Sequence, residues 1–191
     1  MNTQANPPLP GNLPDEDLMT LVVQGIVAEP VAELFRRHNR ALFNFIAWSC
    51  QGDRDEAEDI CQKTWLKLMR CANYRPDAAF RTFLYQIARN TLLDVRKSAY
   101  ARHETSGGGE EHIPDDDLTP EAELGLRQNL HRVHRALMNL PVLQREVVVL
   151  RFFSELTLEE IATAVDVGFE TVKSRLRYAF AHLRRELGQA E

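Results

Sequence analysis

Apolar residues recur along this chain at intervals of three and four, the period of a helix with one face turned inward. Val31, Leu34, Phe35, His38, Leu42, Phe45, Ile46 and Ser49 share one such stripe. A second runs through Ala57, Ile60, Cys61, Thr64, Trp65 and Leu68. Its start is marked by Asp53 with Glu56 three residues on, the spacing of a capping box. A third begins near Phe80 and continues through Phe83, Leu84, Ile87, Ala88 and Leu92. Pro76, between the second and third, breaks a helix because its ring clashes and its N–H is missing. No alternating strand pattern and no internal repeat stands out, so the pattern predicts an all-α protein.

The last third of the chain repeats the same grammar. Thr119, Pro120, Glu121 and Glu123 form a helix start signal, with cap, proline and first-turn acids in order. Pro141 introduces the mostly apolar helix "LPVLQREVVVLRFF". Thr157 and Glu160 predict a second capping box, on a helix turning Leu158, Ile161, Ala162 and Val165 inward. After the short turn "DVG", a longer helix runs from about Phe169 to Leu187, with Val172, Leu176, Ala179 and Leu183 inward. A short helix, a tight turn and a longer helix make a helix-turn-helix.

Charge divides the chain more sharply than its formal net value of −5 suggests. Residues 61–102 carry nine basic and two acidic side chains, a local +7; residues 103–124 carry eight acidic and no basic ones. A polyanion responds to the local field, since salt screens charge over roughly 10 Å. The stretch "RHETSGGGEEHIPDDDLTP", residues 102–120, has a glycine triplet and no aromatic residue, and reads as a flexible acidic linker. The expected organisation is a disordered tail over 1–14, a helical domain over 15–101, the linker over 102–120, and a helix-turn-helix domain over 121–191. The first residues have neither a basic start nor an apolar core, so no secretory signal is expected. No apolar run approaches the roughly 18 residues of a membrane span. Cys50, Cys61 and Cys71 are odd in number and lack a C-x-x-C pair, which suits free thiols in a reducing cytoplasm.

Outward positions carry the candidate chemistry. On the closing helix, Glu170, Thr171, Lys173, Ser174, Arg175, Arg177 and Tyr178 face away from the apolar stripe or flank it. A major groove about 12 Å wide admits one helix, and such side chains reach phosphates and base edges. On the Phe80 helix, Arg81, Arg89, Arg96 and Lys97 lie among Tyr85 and Asn90, with Arg75 in the preceding loop. Cations that track phosphate beside rings that hold unstacked bases suit a single strand. On the Asp53–Arg70 helix, Leu66 falls about 180° from Ala57 and shares its face with Asp55, Asp59 and Gln62. A leucine exposed among charges marks either a partner surface or nothing at all.

Catalysis finds little support. Glu58 and Asp59 are helix neighbours without a converging cluster, and "GGG" at 107–109 follows no strand. His131 and His134 are three apart, but a pair without further ligands does not make a metal site, and no cofactor is expected.

"LPVLQREVVVLRFF…LTLEEIATAV…TVKSRLRYAFAHLRREL" resembles the C-terminal domain of bacterial sigma factors. "AEDICQKTWLKLM" with "YRPDAAFRTFLYQIARNTLLDVRK" is similar to their N-terminal core domain. The two together, with only an acidic linker between, resemble the short extracytoplasmic-function (ECF) class over about 30–101 and 125–187. One departure is Asp166, where the family usually has glycine in the turn.

The resemblance implies a promoter-specificity subunit without an active site of its own. The closing helix would read the −35 element. The Phe80 helix and the Arg75–Phe80 loop would meet the melted −10 element, the loop trapping a flipped base. Asp55, Asp59, Gln62 and Leu66 would bind core RNA polymerase, and the linker would thread the RNA exit channel. An anti-sigma factor, often membrane-anchored, is a further implied partner. Within the family the resemblance points to a regulator of metal resistance of the cobalt–nickel kind. The alternative is a self-sufficient helix-turn-helix regulator with a ligand-sensing N-terminal domain. The basic, aromatic Phe80 segment argues against it, since a sensor has no need of that field.

Overall fold

The computed structural model describes residues 10–76, 79–102 and 131–188. The described residues are helical, with α1 at Asp15–Val23, α2 at Ala28–Ser49, α3 at Arg54–Met69 and α4 at Phe80–Arg102. After helical residues 131–138 (α5) come α6 at Val142–Phe152, α7 at Leu158–Ala164 and α8 at Phe169–Gly188. Of the tail expected to be disordered over 1–14, residues 1–9 lie outside the described residues, but Pro10–Asn12 form a short 3-10 helix and the Gly11 and Leu13 carbonyls accept from Arg37, which orders this stretch against α2. The linker from residue 103 and the Thr119–Pro120 helix start also lie outside the described residues.

Local signals became local structure where chain neighbours could satisfy them. Asp53 caps α3 by accepting the Glu56 backbone N–H at 2.9 Å. All six residues of the α3 stripe are buried, from Ala57 to Leu68. On α2 the stripe buries Leu34, Leu42, Phe45 and Ile46, while Phe35 stays half exposed with its ring 5.2 Å from that of Trp65. Burial of such side chains contributes about 1.5–3 kcal/mol each, the main force holding α2, α3 and α4 together.

Helix α1 falls at the expected start of the domain, residue 15, but none of the apolar stripes read from the sequence, the first of which begins at Val31, marks it. It is short, and Pro14 at its cap offers no side-chain acceptor. Tertiary contacts hold it instead. Arg37 Nη1 donates to Asp15 at 2.7 Å and Arg37 Nε to Glu33 at 2.6 Å. His38 pairs with Asp15 at 2.6 Å, and the Phe80 N–H donates to Glu16 at 3.0 Å. Hydrogen bonds from Arg36 and Arg37 hold the Glu33 carboxyl down at about 2. Leu18, Met19 and Val22 of α1 enter the core behind this polar seam.

The N-terminal helices and the C-terminal helices touch. Helix α2 packs on α6, and α4 packs on α7. Trp48 on α2 packs at a tilt against the rings of His134 (4.8 Å) and Phe153 (5.4 Å). No described helix is long and apolar enough to cross a membrane.

Candidate nucleic-acid interface

The helix-turn-helix is built from α7, a four-residue turn over Val165–Gly168 and α8. Thr157 and Glu160 complete the predicted box: the Thr157 N–H donates to the Glu160 carboxylate at 2.7 Å, and the Glu160 N–H to the Thr157 hydroxyl at 3.2 Å. Asp166 takes a left-handed backbone, φ +52°, at the tight turn. Asp tolerates that region better than most side chains do, so glycine is not required there. The Val167 N–H closes the turn on the Ala162 carbonyl at 3.0 Å. Val172, Leu176 and Ala179 then pack α8 inward, as their spacing predicts.

That packing fixes what α8 presents. Glu170, Thr171, Lys173, Arg177 and Tyr178 are exposed. Lys173 Nζ donates to Glu170 at 2.9 Å and stands 5.4 Å from the centre of the Phe169 ring. The Arg177 guanidinium lies 5.1 Å from the Tyr178 ring, which pre-orders its planar fork. The Ser174 hydroxyl donates back to the Thr171 carbonyl at 2.9 Å. Arg175 departs from the outward set. It is half-buried, and its Nη1 is shut away from solvent with no hydrogen-bond partner among the described residues.

On α4 the structure separates residues that the sequence reading grouped. Arg75, Asn90, Arg96 and Lys97 are exposed, Arg96 donating to the Ser49 carbonyl at 2.5 Å. Phe80 and Tyr85 do not face solvent. Phe80 is fully buried with its ring 5.3 Å from His38, and Tyr85 meets Phe45 edge-on at 5.3 Å. Burial pushes the Tyr85 phenol up. Both rings serve the core because they pack against α2, Phe80 at His38 and Tyr85 at Phe45. Arg81 and Arg89 are engaged across the molecule: Arg81 donates to the Ser154 carbonyl, and Arg89 Nε to Glu146 at 3.0 Å.

The outer face of α3 is as the sequence reading drew it. Asp55, Asp59, Gln62 and Leu66 are all exposed, Leu66 at 43%. Asp59 pairs with Lys63 one turn on. Leu66 borders a groove of about 400 Å³ between α3 and α4, lined also by Lys63, Lys67, Arg70, Thr91 and Asp94. Lys67 and Asp94 bridge its two walls at 2.8 Å. Among the described residues, no group of three or more His, Cys, Asp or Glu could hold a metal ion.

Two family models match the chain in sequence order: Sigma-70 region 2 over residues 34–102 and Sigma-70 region 4 over residues 136–185. The ECF RNA polymerase sigma factor SigM of Mycobacterium tuberculosis is 36% identical over 157 residues, 82% of this chain and 76% of that protein. The chain belongs to the ECF RNA polymerase sigma factors. SigL of the same organism is 31% identical over 160 residues, covering 81% of this sigma factor and 89% of SigL. The RNA polymerase sigma factor NccH of Alcaligenes xylosoxydans xylosoxydans is 30% identical over 157 residues, 79% and 83% of the two chains. The fold is that of CnrH, solved in complex with the cytosolic domain of CnrY. The TM-score is 0.67 and the identity 23%, with 93% of this chain and 99% of CnrH covered. RpoE of Bartonella quintana, solved with the anti-sigma factor NepR, has a TM-score of 0.69 and 21% identity, over 86% and 100% of the chains.

The residues that join the two halves of this sigma factor escaped the sequence reading. Glu146 sits half-buried on α6 with its second carboxylate oxygen unpaired, and burial pushes its carboxyl up against the pull of Arg89. Arg145 beside it is buried and donates to the Met138 carbonyl at 3.2 Å; burial and then the charge of Arg96 press its guanidinium down. Trp48 and Ser154 complete the junction. No local periodicity marks any of the four, because what each does depends on a surface far away in sequence.

Proposed function

We propose that this ECF sigma factor is the promoter-specificity subunit that brings core RNA polymerase to the promoters of a stress or metal-response regulon. The single observation that carries this is the ordered pair of region 2 and region 4 matches along one chain. The chain supplies position, and the polymerase supplies catalysis; its place of work is the cytoplasm. Residues 121–191 read the −35 element through the exposed face of α8, with Arg177 and Lys173 foremost. Residues 15–101 meet the melted −10 strand through Arg75, Arg81, Arg89, Asn90, Arg96 and Lys97. The α3 face around Leu66 docks on core polymerase. Two modest contacts on one duplex multiply through effective concentration when one chain carries both. An anti-sigma factor completes the circuit by covering the same faces; CnrH and RpoE, which share the fold, were each solved with a partner bound.

The test is run-off transcription with core polymerase and a promoter library, with and without the chain. Transcripts starting at defined sites only when the chain is present are expected. Transcripts independent of the chain, or a promoter footprint from the chain alone equal to that with polymerase, would overturn the reading.

A further inference from the structure

The Arg75–Phe80 loop is anchored at both ends by buried aromatic residues. The Tyr74 ring packs 5.1 Å from that of Phe83 on α4, and the Phe80 ring packs against His38 of α2. Between these anchors Arg75, Pro76 and Ala79 are exposed. The second anchor has a weak local start. The Phe83 N–H donates to the Ala79 carbonyl at 3.2 Å, so Ala79 stands at the cap of α4. Alanine has no side-chain acceptor, and the first turn of α4 holds no acid to complement its N-terminal dipole. The missing acceptor comes from α1, where Glu16 Oε1 accepts the Phe80 N–H at 3.0 Å. Glu16 is half-buried and lies 64 residues upstream. The residue before it holds it in place: Asp15 pairs with Arg37 at 2.7 Å and with His38 at 2.6 Å. His38 thus meets both Asp15 and Phe80, and ties α1 to the start of α4.

We propose that Glu16 is a positioning residue for the −10 contact: by capping α4 from another helix, it fixes where the Arg75–Phe80 loop ends and so pre-forms the shape that holds a base. The proposal rests on the reading of that loop as part of the surface that meets the melted −10 strand. A loop already ordered in its bound form loses less freedom when the strand arrives, and so binds more tightly. In this role Glu16 touches no nucleic acid; it acts through the Phe80 backbone. Charge alone predicts the reverse. A carboxylate near the loop repels phosphate, so by field alone its removal strengthens binding to any strand. Positioning predicts that removal weakens binding, and at the −10 strand only. The two accounts differ in sign.

Three substitutions separate the roles. Glu16→Ala removes both acceptor and charge. Glu16→Gln removes the charge and keeps an oxygen that can accept the Phe80 N–H. Ala79→Ser, added to Glu16→Ala, gives α4 a local cap without adding charge and without rebuilding the bridge to α1. Binding is measured on holoenzyme, core polymerase with the full chain, using a fluorescein-labelled promoter fragment chosen by the run-off library. The fragment carries the −35 duplex and the −10 non-template single strand. In a second series each −10 base in turn is replaced by an abasic residue. Thermal unfolding of the free chain reports the stability of each variant.

The parent is expected to lose most affinity at one abasic position. Glu16→Ala should bind the intact fragment roughly fivefold to tenfold more weakly than the parent. Its penalty at that abasic position should shrink in step, because a pocket that is not pre-formed has less to lose. A fragment with the −35 duplex alone should bind both equally. Glu16→Gln should keep parental affinity, and Ala79→Ser should restore most of what Glu16→Ala loses. A merely structural role lowers the unfolding temperature and leaves the abasic penalty at its parental value, and that result overturns the proposal. Tighter binding by Glu16→Ala overturns it too, as does failure of both Glu16→Gln and Ala79→Ser to preserve binding. Failure of the underlying reading shows in the parent instead: if no abasic position weakens its binding, the loop holds no base and the proposal falls with it.

Discussion

The side-chain oxygen of Asn39 accepts two donors from α3: the Trp65 indole N–H at 3.0 Å and the Cys61 thiol at 3.3 Å. Trp65 is buried, so its N–H has no route to water. A buried donor left without a partner costs about 1–3 kcal/mol. Asn39→Ala should therefore lower the unfolding free energy by about that amount in urea titration. Trp65→Phe removes the donor as well, and the double variant should lose less than the sum of the two singles. Strict additivity would mean that the bond contributes nothing.

The same burial governs thiol chemistry. Burial pushes the Cys61 thiol up to about 11, and Cys50 is pushed higher still by burial and then by the nearby Glu56. A raised thiol value favours the protonated form, and only the thiolate attacks an alkylating agent. At pH 8, about three units below the Cys61 value, roughly one Cys61 side chain in a thousand is ionised. Cys71 is half-buried. Iodoacetamide at pH 8 should label Cys71 first in the folded protein and all three cysteines in denaturant, as read by peptide mass spectrometry. Raising the pH toward 11 should speed labelling of Cys61. Equal labelling of the three in the native chain at pH 8 would contradict the placement of Cys50 and Cys61.

What was legible in the sequence is what a residue shares with neighbours three or four positions away. The six-residue stripe of α3, the Thr157–Glu160 box and the inward set of α8 all emerge at the expected positions. The α1 helix was not legible, because Pro14 caps nothing and its hold comes from Arg37, His38 and Phe80. Phe80 and Tyr85 show a different limit. An aromatic ring among arginines suits stacking on a base and suits core packing equally well. The nearness of His38 and Phe45 decides for the core, and neither is visible from α4. Glu146 is the hardest case. A lone acid in the apolar run "LQREVVVL" signals only a solvated position, yet its partner is 57 residues upstream.

Docking on polymerase is tested at Leu66. The side chain is 43% exposed and borders the α3–α4 groove, so Leu66→Glu disturbs no core and should change stability by no more than about 0.5 kcal/mol. A buried carboxylate at a protein interface costs far more. Leu66→Glu should abolish capture of core polymerase in a pull-down while thermal unfolding stays unchanged. Asp59→Arg should act in the same direction, at the added expense only of its exposed pair with Lys63, about 0.3–0.5 kcal/mol. Capture at parental levels by both variants would remove this face from the assembly.

On the proposed reading of α8, Arg177 and Lys173 would divide the work by the shape of their heads. The Arg177 fork lies over the Tyr178 ring and projects from the exposed face, and a guanidinium suits two parallel hydrogen bonds on guanine. Lys173 carries a point charge, tied to Glu170 and free to swing toward phosphate. Arg177→Ala should cost about 1–3 kcal/mol of discrimination between a matched and a mismatched −35 element. Lys173→Ala should instead weaken all sequences alike and lower the slope of log affinity against log salt by about one. Both positions are exposed, so thermal unfolding should not separate the variants from the parent. Holoenzyme binding measured on both templates over a salt series distinguishes the two roles. Equal loss on both templates for Arg177→Ala would make it a phosphate contact, and the sequence-reading contact would then have to come from another residue on the face.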